Sequence, residues 1–283
     1  MIVVGLMGIS LSSIFVKYSN APSAVTAAYR LLWTIFLMSP VTFGSRVIRQ
    51  ELFRVSRRNL LLSILSGVFL AFHFTLWFES LHHTSVASST TIVCTEVIWV
   101  SLGYALFLKG RMSLRSVLAI AVTLVGSVLI AFADSSAGGA HLYGDLLSFM
   151  AAITVAAYVL LGRVVRESVS TTVYTFVVYA SCAVMLLLFC LVQRNNLFGY
   201  GFSGILVGLL LAVFSTILGH SIFSWCLKYF SPSFVSASKL CEPVVAAILA
   251  GILFGETPAA LQLAGGAMIL GGVLYYSKLE RES

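Results

Sequence analysis

Charge is what this sequence has least of: Asp, Glu, Lys and Arg make up 10% of its 283 residues, against 59% hydrophobic ones. Soluble domains run near 25% charged, so that class is excluded, and a mean hydropathy of +1.02 indicates a polytopic membrane protein. Catalytic and nucleotide motifs are missing as well. There is no GxxxxGK[ST] stretch and no soluble segment long enough for a nucleotide-binding domain, so nothing points to ATP use. HExxH is absent and no nucleophile stands beside a plausible base, so no catalytic residue is nominated. Long loops or an appended domain, which a receptor or scaffold would carry, are also lacking. The five cysteines (Cys94, Cys182, Cys190, Cys226, Cys241) lie inside apolar runs without CxxC or Cys/His ligand spacing. They read as reduced core residues, and neither a metal nor a cofactor is expected. No basic n-region precedes the apolar run that begins at Met1, so the expectation is a short first helix and no secretory signal.

What is present is a series of apolar runs separated by turns and charges. A helix needs about 20 apolar residues to cross roughly 30 Å of hydrocarbon, and ten runs qualify: Ile2 to Val16, Ala24 to Phe43, Leu60 to Phe78, Ser85 to Leu108, Leu114 to Phe132, Tyr143 to Leu161, Thr172 to Val192, Phe202 to Trp225, Ser233 to Phe254 and Ala259 to Tyr276. The formal charge of +7 falls in the short loops between them and not along one amphipathic face, which argues against a nucleic-acid partner. Alternate loops are unequal. Arg46, Arg49, Arg54, Arg57, Arg58, Lys109, Arg111, Arg115, Arg163, Arg166, Lys228, Lys278 and Arg281 fall on one side, and only Lys17 and Arg194 on the other. Positive charge accumulates on the cytoplasmic side, so both termini are expected to be cytoplasmic.

An internal repeat runs through the series. Leu81 and Leu227, Ser85 and Ser231, Thr90 and Ser236, Glu96 and Glu242, Gly126 and Gly272, and the basic pair Lys17 and Arg163 are each 146 positions apart. A five-helix unit has been duplicated, and because five is odd the second copy enters the membrane in the opposite sense. The expected fold is therefore all-α, ten transmembrane helices as two inverted five-helix repeats over residues 1–134 and 142–283. Inverted repeats of this kind place a substrate site between them near mid-membrane in secondary transporters.

Three passages carry a resemblance: GISLSSIFVKYSNAPSAVTAAYR with Lys17, Pro22 and Arg30; GDLLSFMAAITVAAYVLLGR; and SASKLCEPVVAAILAGILFGETPAALQLAGGAMILGGV with Glu242-Pro243, Gly255-Glu256 and the glycines Gly265, Gly266, Gly271 and Gly272. Over its whole length the chain resembles the EamA-type drug/metabolite transporter family. The resemblance implies a ten-helix inverted-repeat carrier of the cytoplasmic membrane, commonly an exporter of amino acids or other small metabolites. One departure stands out. The first repeat has Lys109-Gly110-Arg111 where the family often has Gly-Glu, so Glu256 has no duplicate and is read as an end-of-helix structural feature.

Intramembrane charge marks the candidate site, since each such group costs about 2.5–3.5 kcal/mol on insertion scales. In the fourth run Ser85, Ser88, Ser89, Thr95 and Glu96 share one helical face, either a cavity wall or hydroxyls bonded to neighbouring helices. In the ninth, Lys239 and Glu242 are three apart, with Ser238 a turn before the carboxylate, and this spacing predicts an internal ion pair. Pro243 cannot donate to the Lys239 carbonyl, which predicts a bend and a polar locus there, with no matching break in the first copy. Glu96, lacking an adjacent cation, is then the better proton carrier. His73 and Trp77 in the third run and His220 in the eighth are candidates for aromatic or polar walls, the histidines being 147 apart. Arg30 lies within reach of the interface, so snorkelling or pairing with a carboxylate outweighs anion binding. Small residues of the last span fit close helix contact. The expected partners are a small-molecule substrate, the lipid bilayer and a proton exchanged through Glu96 or Glu242. The alternatives are a facilitative channel or uniporter for a small polar solute and, well behind, an intramembrane enzyme built on Glu96, Glu242 and the histidines.

Overall fold

The computed structural model describes residues 1–108, 113–135, 139–239 and 242–282, and these are helical with short connections and no strand. In chain order the helices are α1 (Ile2–Ser10), α2 (Ser12–Lys17), α3 (Ser23–Gly44), α4 (Arg46–Arg54), α5 (Arg57–His83), α6 (Val86–Val93), α7 (Glu96–Phe107), α8 (Leu114–Ser135), α9 (Gly139–Arg166), α10 (Thr171–Val192) and α11 (Gly201–Leu210). A π-helical segment, Leu211–His220, continues α11 into α12 (Ser221–Cys226), and α13 (Pro232–Ala237), α14 (Glu242–Phe254) and α15 (Ala260–Glu282) complete the fold. Among the described residues, six rods are long and apolar enough to cross a bilayer: 23–44, 57–83, 86–107, 141–166, 171–192 and 201–226. Shorter apolar helices cover 2–17 and 260–276. The Lys109-Gly110-Arg111 turn and Cys241 lie outside the described residues.

Local chemistry explains most boundaries. Serines cap the N-termini of α5, α6, α10 and α13: Ser56, Ser85, Ser170 and Ser231 each accept a backbone N–H three residues on, satisfying a donor that the first turn leaves unpaired. The segment expected as a basic loop contains α4. Its arginines Arg46, Arg49 and Arg54 alternate with the exposed Val47 and Phe53, the composition of a helix lying in the headgroup layer.

Two breaks organise the interior. The run Ser85 to Leu108, expected as one helix, stops at Val93 and restarts at Glu96, with the Thr95 N–H bonded three residues back to Ile92. No proline is needed for this interruption, so the expectation that only the second copy is broken is corrected. The other break separates α13 from α14. Here too the expectation of a vacant Lys239 carbonyl is corrected, because that oxygen accepts the Glu242 N–H at 2.8 Å. The two broken rods meet, α6 packing on α14 and α7 on α13, while α5 lies along α9 and α10, and α1 along the π-helical segment. The buried core follows these contacts, with Leu70, Phe74, Phe78, Leu81, Tyr174, Tyr179, Leu186 and Leu211 at or below 2% exposure.

At the edge of this interior α8 and α15 pack closely through small residues. A Cβ added at Gly126 would lie 2.7 Å from the Gly265 carbonyl oxygen, whereas one at Gly271 meets nothing within 4 Å. Gly126→Leu is therefore expected to destabilise the purified protein by about 1–3 kcal/mol, the usual cost of overpacking, and Gly271→Leu to leave it unchanged. Thermal unfolding in detergent, with both variants scanned side by side, checks this.

Candidate functional site

The breaks matter because of what stands at them. Glu96 is the first residue of α7 and Glu242 the first of α14, so each carboxylate sits at the positive end of a half-helix dipole. Lys239 follows the C-terminus of α13, the end that favours a cation. All three are buried, at 9% exposure or less. Lys239 does not pair with its sequence neighbour Glu242. Its ammonium forms an ion pair with Glu96, and it lies 5.5 Å from the Phe223 ring centre. The pairing expected from the three-residue spacing is thus corrected: three residues apart within a continuous helix are neighbours, but Lys239 lies in the turn before α14 begins. The reasoning that left Glu96 without a cation is reversed, and among the described residues Glu242 has no ion pair.

Glu96, Lys239 and Glu242 line a cavity shared with Ile9, Ser12, Arg30, His73, Trp77, Val93, Cys94, Val155, Ser215, His220, Phe223 and Ser236. Four pairs of lining residues are 146 positions apart: Ile9 and Val155, Trp77 and Phe223, Val93 and Lys239, Glu96 and Glu242. The cavity has about 40 Å³ that can hold the centre of a water molecule. That is room for a few waters.

Arg30 is the residue that sequence reasoning placed wrongly. It is fully buried, not snorkelling to an interface. Nε donates to Thr216 Oγ1 at 2.7 Å and Nη1 to Ser12 Oγ at 3.3 Å, and the guanidinium carbon stands 4.1 Å from the Phe74 ring centre. Nη2 has no partner among the described residues. Thr216 is aimed at Arg30 from the π-helical segment, and its own hydroxyl donates five residues back to the Leu211 carbonyl. π-helical turns are rare and gather at functional sites. A charge expected within reach of water gave no signal of this; the signal available was its place in the repeat, since the position 146 further on is Phe176 and the arginine is unique to one copy.

The remaining candidates divide. The rings of His73 and His220 meet at 6.4 Å between centroids, with His73 stacked on Trp77 and its Nδ1 3.0 Å from the Ala151 carbonyl. Trp77 is 4% exposed and belongs to the cavity and not to an interfacial belt, whereas Trp225 is 38% exposed. Ser89 lies away from the cavity, held by Ser80 at 2.7 Å and Ser148 at 3.1 Å. Ser238 donates to the Val235 carbonyl. Thr95 is buried beside Glu96, and its hydroxyl has no partner among the described residues. Pro243 faces an apolar groove along α14 and α15, with Ile248, Ile252, Leu263 and Leu270 on its walls. No group of three or more metal-ligating side chains occurs among the described residues. Cys94, Cys182, Cys190 and Cys226 carry free thiols.

Polar contacts also join helix ends at the two ends of the bundle. At one end Lys17 pairs with Glu256 at 3.3 Å, Glu256 accepts the Val86 N–H at 2.8 Å, and Ser23 donates to Glu79 at 2.7 Å. At the other the Ser170 N–H donates to Glu51 at 2.6 Å, Asn59 to Ser168 at 2.9 Å and Arg163 to the Leu227 carbonyl at 2.8 Å.

Comparison with known proteins follows the same lines. The EamA-like transporter family matches the chain twice, over residues 1–132 and 142–278. An uncharacterized transporter of Bacillus subtilis, YxxF, is 25% identical over 266 residues, covering 92% of this chain and 82% of the relative. A Salmonella typhimurium protein named "Probable amino-acid metabolite efflux pump" is 24% identical over 288 residues, covering 96% and 91%. A solved crystal structure superposes with a TM-score of 0.70 at 16% identity, over 99% of this chain and 96% of the other; at that identity it speaks to the fold alone.

The ion pair between the two broken rods gives a direct test. Removing one member of a buried pair typically costs about 3–5 kcal/mol because the other charge is left uncompensated. Lys239→Met and Glu96→Gln are each expected to destabilise strongly, and the double variant to recover most of the loss. Lys239→Met with Glu242→Gln is expected to show no such recovery. A double-mutant cycle on thermal unfolding distinguishes the two partners.

Proposed function

The chain belongs to the EamA-like transporter family, and from that premise we propose that it is a secondary carrier, an exporter of small zwitterionic metabolites such as amino acids across the cytoplasmic membrane by alternating access. The observation that carries the substrate class is a pair of unsatisfied charges in one cavity. Arg30 Nη2 lacks a partner and Glu242 lacks an ion pair among the described residues. A solute carboxylate on the first and an ammonium on the second satisfy both at once, and Trp77, His220 and Phe223 supply apolar wall. The Salmonella relative's name points to the same class of solute.

The double family match and the four cavity pairs at one offset support two five-helix repeats facing each other across the site. On the inverted arrangement the chain has ten spans, and the arginine-rich loops put both termini in the cytoplasm. Pocket size favours a carrier over a channel. A space with room for a few waters, among helices joined by polar contacts at both ends of the bundle, admits a metabolite only when those helices move. Glu242 is the carboxylate placed to exchange a coupled proton, because Glu96 already neutralises Lys239.

Radiolabelled counterflow in proteoliposomes, with amino acids screened as the internal solute, tests this reading. Arg30→Gln and Glu242→Gln are each expected to reduce counterflow of the active solute more than tenfold, with monodispersity on gel filtration retained. Flux through Glu242→Gln is also expected to stop responding to an imposed pH gradient. Wild-type rates in both variants would end the assignment.

A further inference from the structure

Glu256 is the acidic residue with no duplicate in the first repeat, and the structure gives it two partners. One carboxylate oxygen meets Lys17 Nζ at the end of α2, and the other accepts the Val86 N–H at the start of α6. Three parts of the chain that are remote in sequence converge there. The pair is about three-quarters buried, with side-chain exposures of 25% and 23%, and the Tyr18 and Phe254 rings pack 5.3 Å apart beside it. Partial desolvation strengthens the contact beyond that of an exposed ion pair, and the acceptor also satisfies a helix N-terminal donor.

The same positions in the other repeat cannot make this contact. Adding 146 to Lys17 gives Arg163, which keeps the cation; adding it to Val86 gives Pro232, which has no N–H; subtracting it from Glu256 gives Gly110, which has no carboxylate. Ser85 and Ser231, just before Val86 and Pro232, both cap their helices, so the local frame is alike and the difference lies in the chemistry. Arg163 turns instead to the Leu227 carbonyl.

We propose that Lys17, Glu256 and the Val86 N–H form a latch on the face remote from the arginine-rich loops, and that the opposite face, which among the described residues is joined by hydrogen bonds such as Ser170 N–H to Glu51 but by no ion pair between remote segments, is the easier to open, biasing the carrier toward loading from the arginine-rich side. The directional consequence rests on the carrier reading above; the latch itself does not. Two helical elements are held by one carboxylate, so its loss lowers the cost of opening that face while leaving the other face as it was. In an exporter this asymmetry holds the discharge side shut until a loaded cavity displaces the equilibrium.

Thiol labelling tests the latch without any substrate. Cys94 lines the cavity, so a variant in which Cys182, Cys190, Cys226 and Cys241 are alanine carries one reporter. Vesicles of both orientations are treated with a membrane-impermeant maleimide. In the Glu256→Ala background, which removes both the ion pair and the acceptor for the Val86 N–H, labelling from the Lys17 face is expected to rise at least about fivefold, the lower end of ordinary conformational coupling. Lys17→Gln, which spares the bond to Val86, is expected to raise it less, and it carries the test if Glu256→Ala fails to fold. Labelling from the other face is expected not to rise. Unchanged rates from the Lys17 face, or equal rises from both faces, would overturn the latch. Counterflow that fails for every solute while labelling changes as stated removes the carrier reading and leaves the latch. Normal counterflow with unchanged labelling does the reverse.

Discussion

The interior is built around the problem of placing cations in a medium that does not solvate them. Lys239 is held by Glu96 from the other half of the chain, and this contact joins the interruption in one rod to the interruption in another. A lysine at mid-membrane is tolerable only with such a partner. Satisfying it across the two halves draws α6 and α7 against α13 and α14, and the two breaks form one side of the cavity. Arg30 answers the same problem by a different route, with two hydroxyls and an aromatic face in place of a carboxylate. Its one unpartnered nitrogen is then the place where the interior has bonding capacity to spare.

Much of the architecture was legible because it rests on local rules. Hydropathy separates the apolar runs, and serine before an apolar run marks the caps at Ser56, Ser85, Ser170 and Ser231. Glu96, Glu242, Lys239, His73, Trp77 and His220 stood out because polar and aromatic side chains of this kind are rare in such runs, and all six line one cavity. Partner choice was not legible. The rule that residues three apart are neighbours presumes an unbroken helix, and the turn ahead of Glu242 removes that premise. Nor did the break at Cys94 and Thr95 announce itself, since no proline or glycine marks it. Ser89 and Ser238 show the converse: hydroxyls on a promising face are satisfied by neighbouring hydroxyls or by their own helix.

The repeat correspondence is most informative where it fails. Val93 and Lys239 occupy matching places on the cavity wall, so the cation was set into one half only, and it was set opposite the carboxylate of the other half. Arg30 likewise has an aromatic residue, Phe176, at its matching position. The two carboxylates at matching positions thus stand in unlike surroundings, Glu96 paired with Lys239 and Glu242 without an ion pair among the described residues.

The π-helical segment Leu211–His220 shows how such a site is adjusted. At its end the Ser221 N–H bonds the Thr216 carbonyl five residues back instead of four, and the hydroxyls of Thr216 and Ser221 reach carbonyls at the same spacing, so the segment holds its residues in wider turns than an α-helix does. The 146 spacing holds on both sides of the segment, at Ile9 and Val155 and again at Trp77 and Phe223, so the span carries no extra residue. Wider turns at unchanged length rotate the stretch that bears Ser215 and His220 relative to a regular helix, and so change which side chains this wall turns toward the cavity without moving a residue that bears charge.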